Sequence, residues 1–424
     1  MPPYRFVHAA DLHLDSPFTG MLTVAPDIAR ALHQATFSAF DAIIKLTIEE
    51  RADALLIAGD VFDSVDRSLK AQLAFERGLR ELGEAGIRAF VCHGNHDPLD
   101  SWHAQITMPP NVHRFGPEVD SAPLRPDDPD SPVVYGVSYP RREVRENLVP
   151  RFKPHVDTGR PGIGLLHANV GASTGHENYA PCTLGDLAAT GIGYWALGHI
   201  HTRRTDVHQG VLAAYPGNPQ GRNPNETGPR GVLLVDVSES GEFSPTFRAV
   251  DIVRWDHLEL SIDDLADQHG LEAAIQHRLE QARTRAEGRH LVYRITLAGR
   301  GELHHLVSQA EFPATLAGVL NETGITRDPF AYCERVQIAT RSPVDRAGLL
   351  EAGGFMGDLL RMVEELPARP DATTRLQEDL GVLLESQRVR GYLEDAALTA
   401  EQIARMLPAA EARILNLLEG NDGE

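Results

Sequence analysis

The chain has 424 residues, which is long enough for two or three domains that each bury a core of their own. Sixty acidic residues against forty basic ones give a formal net charge of −20, which argues against indiscriminate coating of nucleic acid but leaves room for a local DNA groove. No apolar run approaches the length that crosses a bilayer, so a membrane protein is not expected.

Two further features of the sequence indicate the cellular compartment. Residues 1–7 lack the charged, apolar and small-residue regions of a signal peptide, so we expect a cytoplasmic protein. Cys92, Cys182 and Cys333 lie far apart and form no Cys-x-x-Cys pair, which disfavours both a disulfide framework and a thiolate zinc site. Reduced, structural thiols are therefore expected.

The first hundred residues alternate between strand-like and helix-like patterns. The predicted order is a strand from Phe6, a helix over 27–50, a strand over 54–57, a helix over 69–83 and a strand over 87–92. The apolar run before Gly59 predicts a buried strand that stops abruptly and presents Asp60 at its tip. This β-α-β-α-β rhythm is typical of an α/β fold.

The later sequence predicts three regions. Residues 98–161 are rich in turns, and further strands are predicted over 133–137, 162–167, 194–197, 231–237 and 243–253, which close a first domain over residues 1–253. Alternating strand and helix patterns over 254–341 predict a second, smaller α/β domain. Residues 342–424 have helical apolar spacing from Leu349 to Leu384 and predict a helical C-terminal region.

Five separate stretches place aspartate, asparagine or histidine directly after an apolar run. They are Asp11 with His13, Asp60, Asn95 with His96, His167, and His199 with His201. Any one of them alone is most simply a structural feature, but all five together favour a metal site. Oxygen and imidazole ligands without sulfur suit manganese, iron or zinc, and so many ligands favour two ions over one. Two such ions would polarise a phosphate and ionise a shared water, so the predicted substrate is a phosphate ester.

The motifs resemble those of the calcineurin-like metallophosphoesterases. The matching motifs are Asp11-x-His13, Gly59-Asp60-x-x-Asp63, Gly94-Asn95-His96-Asp97, His167 and Gly198-His199-Ile200-His201. Within that family the sequence is similar to the SbcD-type and YhaO-type bacterial DNA repair exonucleases. The stretches 8–18, 196–201 and 215–222 are closest to the YhaO-type pattern. The resemblance is strong over residues 1–250 and only architectural beyond them.

The resemblance implies a fold and a mechanism. The fold would be a four-layer α/β/β/α sandwich with a small α/β capping domain and the helical C-terminal region. One ion would be held by Asp11, His13, Asp60 and His201, and the other by Asp60, Asn95, His167 and His199. His96 would protonate the leaving oxygen, and the Asp63 carboxylate would orient His96. The activity would be that of a manganese-dependent DNA exonuclease acting in DNA repair, and endonuclease activity also stays open. The two metals would activate a hydroxide for the reaction. Iron, zinc and magnesium are the other candidate metals.

The resemblance also implies partners. Five arginines that flank the motif loops are candidate DNA contacts, although each alone is typical of an exposed surface residue: Arg141, Arg142, Arg203, Arg204 and Arg222. The helices after residue 342 would dock on a coiled-coil ATPase of the SMC type, or equally form a bundle of their own, and the chain could form a homodimer. Two rival functions stay open: a phosphoesterase acting on small nucleotides or other phosphodiesters, and a metal-stabilised scaffold for an ATPase.

Overall fold

The computed structural model describes most of the chain. The described residues are 4–16, 26–63, 68–101, 107–152, 159–171, 178–343 and 346–366, together with Leu407, Ala410, Glu411 and Ile414. Apart from those four residues, the helical region predicted over 342–424 lies outside the described residues beyond residue 366. No helix within the described ranges combines the length and apolar character needed to cross a membrane.

The secondary structure elements alternate along the first part of the chain, as the pattern predicts. In chain order they are β1 (Tyr4–Ala9), α1 (Pro26–Glu49), β2 (Ala54–Ala58), α2 (Leu69–Glu84), β3 (Arg88–Cys92), β4 (Val112–Arg114), β5 (Asp120–Pro123), β6 (Val133–Gly136), β7 (Gly162–His167), α3 (Leu184–Ala188), β8 (Tyr194–Gly198), β9 (Arg204–His208), β10 (Val211–Tyr215), β11 (Gly231–Val237), β12 (Phe243–Ala249), β13 (Val253–Ser261), α4 (Gln268–Ala286), β14 (His290–Arg300), α5 (His304–Val307), α6 (Phe312–Gly324), β15 (Ala331–Arg341), α7 (Arg346–Ala352) and α8 (Gly354–Glu365).

Two six-stranded sheets form the main part of the fold. The first has the order β12-β11-β1-β2-β3-β4, in which β1 to β4 are parallel and β11 pairs with β1 antiparallel. The second has the order β5-β6-β7-β8-β10-β9. Strands β6, β7, β8 and β10 are parallel, while β5 pairs with β6 and β9 pairs with β10 antiparallel. Motif-bearing strands therefore occupy the interior of both sheets.

Three apolar cores separate four layers. Alternate residues of a strand face opposite sides of its sheet, so Phe6 contributes to a core shared by the two sheets while Val7 faces the helices. Phe75 of α2 packs on the outer face of the first sheet, and Leu187 of α3 packs with Trp195 on the outer face of the second. These layers confirm the predicted α/β/β/α fold. Burial on both faces explains why the central strands read as unbroken apolar runs.

The chain divides into two compact units that are not consecutive in sequence. The first comprises Met1–His257, Glu280–Arg294 and Leu320–Glu334, and the second comprises Leu258–Leu279, Ile295–Val319 and Arg335–Glu424. The third sheet has the order β13-β14-β15. Within the first unit, Ile28 and Leu32 of α1 pack against Val253, Trp255 and Phe330. The division at residues 253 and 341 remains a prediction.

The sequence pattern missed four short strands, which are β4, β5, β9 and β10. β4 and β5 lie at sheet edges and have only three and four residues. β9 alternates half-buried and exposed positions, and it carries charged residues on an edge. These three edge strands give little apolar periodicity, because one side of each makes no core contact. β10 lies inside its sheet and is mostly buried, so this reason does not apply to it.

His8 provides a test of the packing between the two sheets. Its fully buried ring has Nδ1 3.0 Å from the Tyr194 hydroxyl and Nε2 3.2 Å from the Leu197 carbonyl oxygen. Burial lowers the pKa of His8 from 6.5 to about 3. Between those values the unfolded chain binds a proton at this side chain that the folded chain does not. The stability that neutral His8 contributes is therefore present above about pH 6.5 and is lost as the pH falls.

We expect this loss to be smaller in His8→Gln, because glutamine can donate to Leu197 and accept from Tyr194 without titrating. Between about pH 6.5 and about pH 5, the wild-type free energy of unfolding should fall by about 2 kcal/mol more than that of the variant. Urea unfolding at both pH values measures the difference. An equal loss in the two proteins would mean that His8 does not contribute to acid sensitivity.

Candidate metal centre

The five motif stretches meet at one edge of the two sheets. Asp11 and His13 follow β1, Asp60 follows β2, and Asn95 follows β3 in the first sheet. In the second sheet His167 is the last residue of β7, while His199 and His201 follow β8. The carboxyl ends of parallel strands lie at the same edge of a sheet, where open α/β folds bind ligands. The structure thereby brings all five stretches together.

Four of the predicted ligands have left-handed backbone conformations. The φ angles of Asp11, His13, Asp60 and His199 are 52°, 43°, 49° and 98°. Such angles cost a residue with a Cβ about 1 to 2 kcal/mol each, and they cluster at functional sites. Main-chain hydrogen bonds from Asp11 N to the Gly59 oxygen (3.1 Å) and from His13 N to the Asp60 oxygen (3.0 Å) hold the turns in place. The strained turns aim these side chains at a common point.

The glycines that precede the ligands make room for them. Gly59 has a φ of 85°, and a Cβ at this position would overlap the ring of His167. A Cβ at Gly94 would overlap the Asp60 carboxylate, and one at Gly198 would overlap the Ala58 carbonyl. The glycines are therefore required by the close approach of the two sheets at this edge.

One half of the site is built from His13 and His201. Their Nε2 atoms lie 3.2 Å apart. The Nδ1 of His201 donates to Glu226 at 2.7 Å, and the Nδ1 of His13 lies 3.0 Å from Asp63 Oδ1. With the protons on Nδ1, two unprotonated Nε2 atoms face each other and repel unless a cation lies between them. Two imidazoles on one ion at about 2.1 Å are separated by about 3.0 to 3.4 Å, so this pair fits a shared metal.

The other half is built around His167. Its Nδ1 donates to the Ala58 carbonyl at 3.0 Å, which leaves Nε2 unprotonated. That Nε2 lies 3.0 Å from Asn95 Oδ1 and 3.4 Å from Asp60 Oδ2. Three acceptor atoms therefore converge, and a divalent cation would satisfy all three.

Burial leaves the centre with carboxylates that water cannot solvate. Burial raises the pKa of Asp60 to about 6, and burial together with the charge of Asp60 raises the pKa of Asp11. Burial also lowers the pKa of His13 and lowers that of His167 to about 4, so both imidazoles stay neutral. Neutral imidazoles cannot balance the two carboxylates, whereas bound cations can.

The predicted ligands form one cluster, with Asp11 between its halves. Three sets of donor atoms lie within 4.8 Å of one another among the described residues: Asp11, His13 and His201; Asp11, Asp60 and His167; and His13, Asp63 and His96. The predicted partition gave Asp11 to one ion only, whereas its carboxylate belongs to two of these sets. The His199 amide donates to both Asp11 oxygens at 3.0 and 3.1 Å, and its ring lies 5.3 Å from that of His167.

That the Asp63 carboxylate orients His96 remains a prediction, and the nearer contact of His96 is with the Asp63 main chain. The Nδ1 of His96 donates to the main-chain carbonyl of Asp63 at 2.7 Å, while the carboxylate lies 4.0 Å away. That carboxylate instead accepts from Arg222 at 2.8 Å and faces His13. Burial raises the pKa of Asp63, but the contacts with His13 and Arg222 outweigh it and lower the pKa overall. The ionised carboxylate therefore stays with the arginine.

The five candidate arginines fall into different places. Arg222 is half-buried and lies against Asp63 in the centre. Arg203 stacks over the Phe247 ring at 4.0 Å, and Arg204 pairs with Asp206 at 2.6 Å on β9. Arg141 and Arg142 are exposed on the loop after β6.

Sequence reasoning missed two residues that support the ligands. Asp97, the last residue of the Gly94 motif, accepts from the amides of Val61 (3.0 Å) and Gly94 (2.8 Å) and so joins two ligand loops. Glu226 accepts from His201. Burial raises the pKa of Glu226, but its contacts with His201 and Arg222 together outweigh burial and lower that pKa to about 2. A polar run rich in glycine and proline directly after buried β10 was the available signal for Glu226.

Two family models match the chain. One is described as Calcineurin-like phosphoesterase and matches residues 4–203, and the other as Metallophosphoesterase YhaO, middle domain, and matches residues 255–341.

Curated relatives are similar over most of the same region. The chain is 35% identical over 295 residues to the Uncharacterized metallophosphoesterase YhaO of Bacillus subtilis, covering 69% of this chain and 71% of that protein. It is 29% identical over 231 residues to the DNA double-strand break repair protein Mre11 of Sulfurisphaera tokodaii, covering 52% and 57% of the two chains. It is 26% identical over 276 residues to a subunit of the nuclease SbcCD of Bacillus subtilis, covering 56% and 67%.

We expect Gly59→Ala to disrupt the centre by a steric clash in addition to the backbone strain that any side chain causes at this φ angle. Gly191 is a matched control, because it has the same φ of 85° and its Cβ would meet nothing within 4 Å. Gly191→Ala should cost about 1 to 2 kcal/mol of stability. Gly59→Ala should cost about 1 to 3 kcal/mol more, because the new methyl group displaces the His167 ring.

Urea unfolding and the content of bound manganese measure the two effects. Gly59→Ala should also lose bound metal, whereas Gly191→Ala should retain it. Equal stability and equal metal content in the two variants would contradict the proposed role of Gly59.

Proposed function

Because the chain belongs to the calcineurin-like metallophosphoesterase family, we propose that it is a manganese-dependent DNA phosphodiesterase, an exonuclease acting in DNA repair. Membership of the family confirms the predicted resemblance and the class of metal-dependent phosphodiesterase. Relatives named as a DNA double-strand break repair protein and as part of a nuclease support DNA as the substrate.

The observation that carries the proposal is the set of acceptor atoms that face one another at 3.0 to 3.4 Å. Asp11, His13, Asp60 and His201 would hold one ion, in what we call the first metal position. The second metal position would consist of Asp60, Asn95, His167 and His199. When bound, two divalent ions supply Lewis-acid polarisation of the phosphate and a water that ionises near neutral pH.

His96 is suited to donate a proton to the leaving oxygen. Its Nδ1–H is held by the Asp63 carbonyl at 2.7 Å, which directs Nε2 to carry the exchangeable proton. The main-chain amide of His96 donates to Asp60 Oδ1 at 3.0 Å, so the main chain that carries the ring is held next to a ligand. The side chain is 36% exposed, unlike that of His13 at 1%. An acid that must meet a substrate needs this access.

DNA would be attracted locally rather than by the whole surface. The net charge of −20 repels phosphate at long range. Bound cations would reverse the charge at the centre. Four arginines offer further positive charge: Arg141, Arg142 and Arg203 are exposed, and Arg204 is half-buried. We propose that these arginines contact the DNA backbone and that Arg222 acts beside the reacting phosphate.

The remaining regions would select DNA ends and bind partners. We propose that residues 254–341 are a capping domain that governs which DNA ends enter, and the match of a middle-domain model to residues 255–341 supports a separate module there. The region from residue 342 would dock on a coiled-coil ATPase of the SMC type. Phe355 (71% exposed) and Met362 (57% exposed), two turns apart on α8, offer an apolar face for such a partner. A cytoplasmic location and a homodimer belong to the same proposal.

The substrate is tested by incubating the full chain and Mn²⁺ with linear duplex DNA, single-stranded DNA and bis-p-nitrophenyl phosphate. We expect cleavage of DNA and a loss of about 100-fold or more in His96→Ala, since general acid catalysis contributes about that much. His269→Ala, an exposed histidine on α4, is the matched control and should keep full activity. Cleavage of the small diester alone would exclude the DNA function, and full activity of His96→Ala would exclude its role as the acid.

The metal requirement is tested by analysis of the purified, manganese-loaded chain. We expect two ions per chain, and removal by a chelator should abolish cleavage and lower the thermal unfolding midpoint. The midpoint should fall because Asp11 and Asp60 are left buried without a cation, and because binding to the folded state alone stabilises it. Fewer than two ions with full activity would rule out a dinuclear site, and iron, zinc or magnesium restoring more activity than Mn²⁺ would change the assigned metal.

A further inference from the structure

Residues 216–230, which we call the clamp loop, connect β10 to β11 and carry polar side chains that are unusually buried. Asn218 and Gln220 are each 1% exposed, and Glu226 and Arg230 are 7% and 9% exposed. Connecting loops normally keep such groups in water, because burying them without partners is costly. The clamp loop therefore depends on specific contacts, and several of these reach the metal centre.

Glu226 joins the clamp loop to His201. One carboxylate oxygen accepts from His201 Nδ1 at 2.7 Å. The other accepts from the Arg222 amide at 2.7 Å and from Asn218 Nδ2 at 3.0 Å. Three donors fix this carboxylate, so the imidazole of His201 has one orientation and one protonated nitrogen. Its Nε2 is thereby directed at His13 Nε2.

Arg222 joins the same loop to His13. Its guanidinium donates to Ser16 Oγ at 2.7 Å and to Asp63 Oδ1 at 2.8 Å. Asp63 Oδ1 in turn lies 3.0 Å from His13 Nδ1. Both imidazoles of the first metal position therefore have their Nδ1 atoms against carboxylates that the clamp loop provides or holds.

The second metal position has no such dependence in its imidazole His167. The Nδ1 of His167 donates to the main-chain carbonyl of Ala58, the last residue of β2 in the sheet core. A main-chain partner is neutral and cannot be removed by a side-chain substitution. His167 thus differs from His13 and His201 in how its imidazole is oriented and in the charge behind it.

We propose that Glu226 is a positioning residue for His201 and that its carboxylate sets the metal affinity of the first position without affecting the second. The inference rests on the proposed dinuclear function. A carboxylate behind a metal-binding imidazole fixes the tautomer and makes Nε2 a stronger donor to the ion, and loss of such partners typically weakens binding by about 10- to 100-fold.

The test is titration of Mn²⁺ into the metal-free full chain, followed by calorimetry and by electron paramagnetic resonance. Glu226→Gln keeps the size of the side chain and can keep an oxygen that accepts from His201, but it removes the charge and the acceptor that faces Asn218 and the Arg222 amide. We expect two sites in the wild type. In Glu226→Gln one site should be unchanged and the other weakened by about 10-fold or more. At one to two equivalents of Mn²⁺, the spectrum of paired ions should give way to that of isolated ions.

Asp251→Asn is the matched control. Asp251 is also a buried, ion-paired carboxylate, bound to Arg254 at 2.9 Å, and it is not part of the centre. This variant should lower the urea unfolding midpoint yet bind two Mn²⁺ with wild-type affinities.

Each remaining outcome separates the two proposals. Two unchanged sites in Glu226→Gln would overturn the role of Glu226 and leave the dinuclear function standing. Equal weakening in Asp251→Asn would assign the effect to general destabilisation and would also overturn that role. Fewer than two sites in the wild type would instead overturn the dinuclear function itself, and this inference with it.

Discussion

The burial of two carboxylates at the joint edge of two sheets is the constraint on which the centre depends. Asp11 and Asp60 are 1% and 2% exposed, and the imidazoles beside them are held neutral by burial. Removing ionised carboxylates from water costs several kcal/mol each unless an opposite charge compensates. The imidazoles and the Asn95 amide beside them present acceptor atoms, and the Arg222 guanidinium is paired with Asp63. The arrangement therefore suits a bound cation.

The backbone around the centre is shaped to satisfy that constraint. Left-handed turns at Asp11, His13, Asp60 and His199 are each unfavourable alone. They persist because the strands that precede them are fixed in a continuous core between the sheets. Gly59 and its counterparts permit the close approach that the ligands need. The stability of the sandwich is thus used to hold a strained and electrostatically unfavourable arrangement in place.

The two halves of the centre are supported by different means, and this bears on function. In the proposed second position, the imidazole of His167 is oriented by the β2 main chain, which is part of the core. The imidazoles of the first position are oriented through carboxylates tied to the clamp loop, which Gln220 anchors by hydrogen bonds to the main chain at Val253. Under the proposed function, changes in that loop would alter one metal position while the other is retained.

The sequence by itself determined the order of the main strands and helices and predicted eight candidate site residues at strand ends, because apolar periodicity and the residues at strand ends are local properties. Only the tertiary structure decided how the Asp63 carboxylate is used, that Asp11 lies between both halves, and that Glu226 orients His201. These features depend on contacts between segments far apart in the chain, for which no local pattern exists. The Asp63 carboxylate, for example, lies nearer to Arg222 than to His96 in the folded protein.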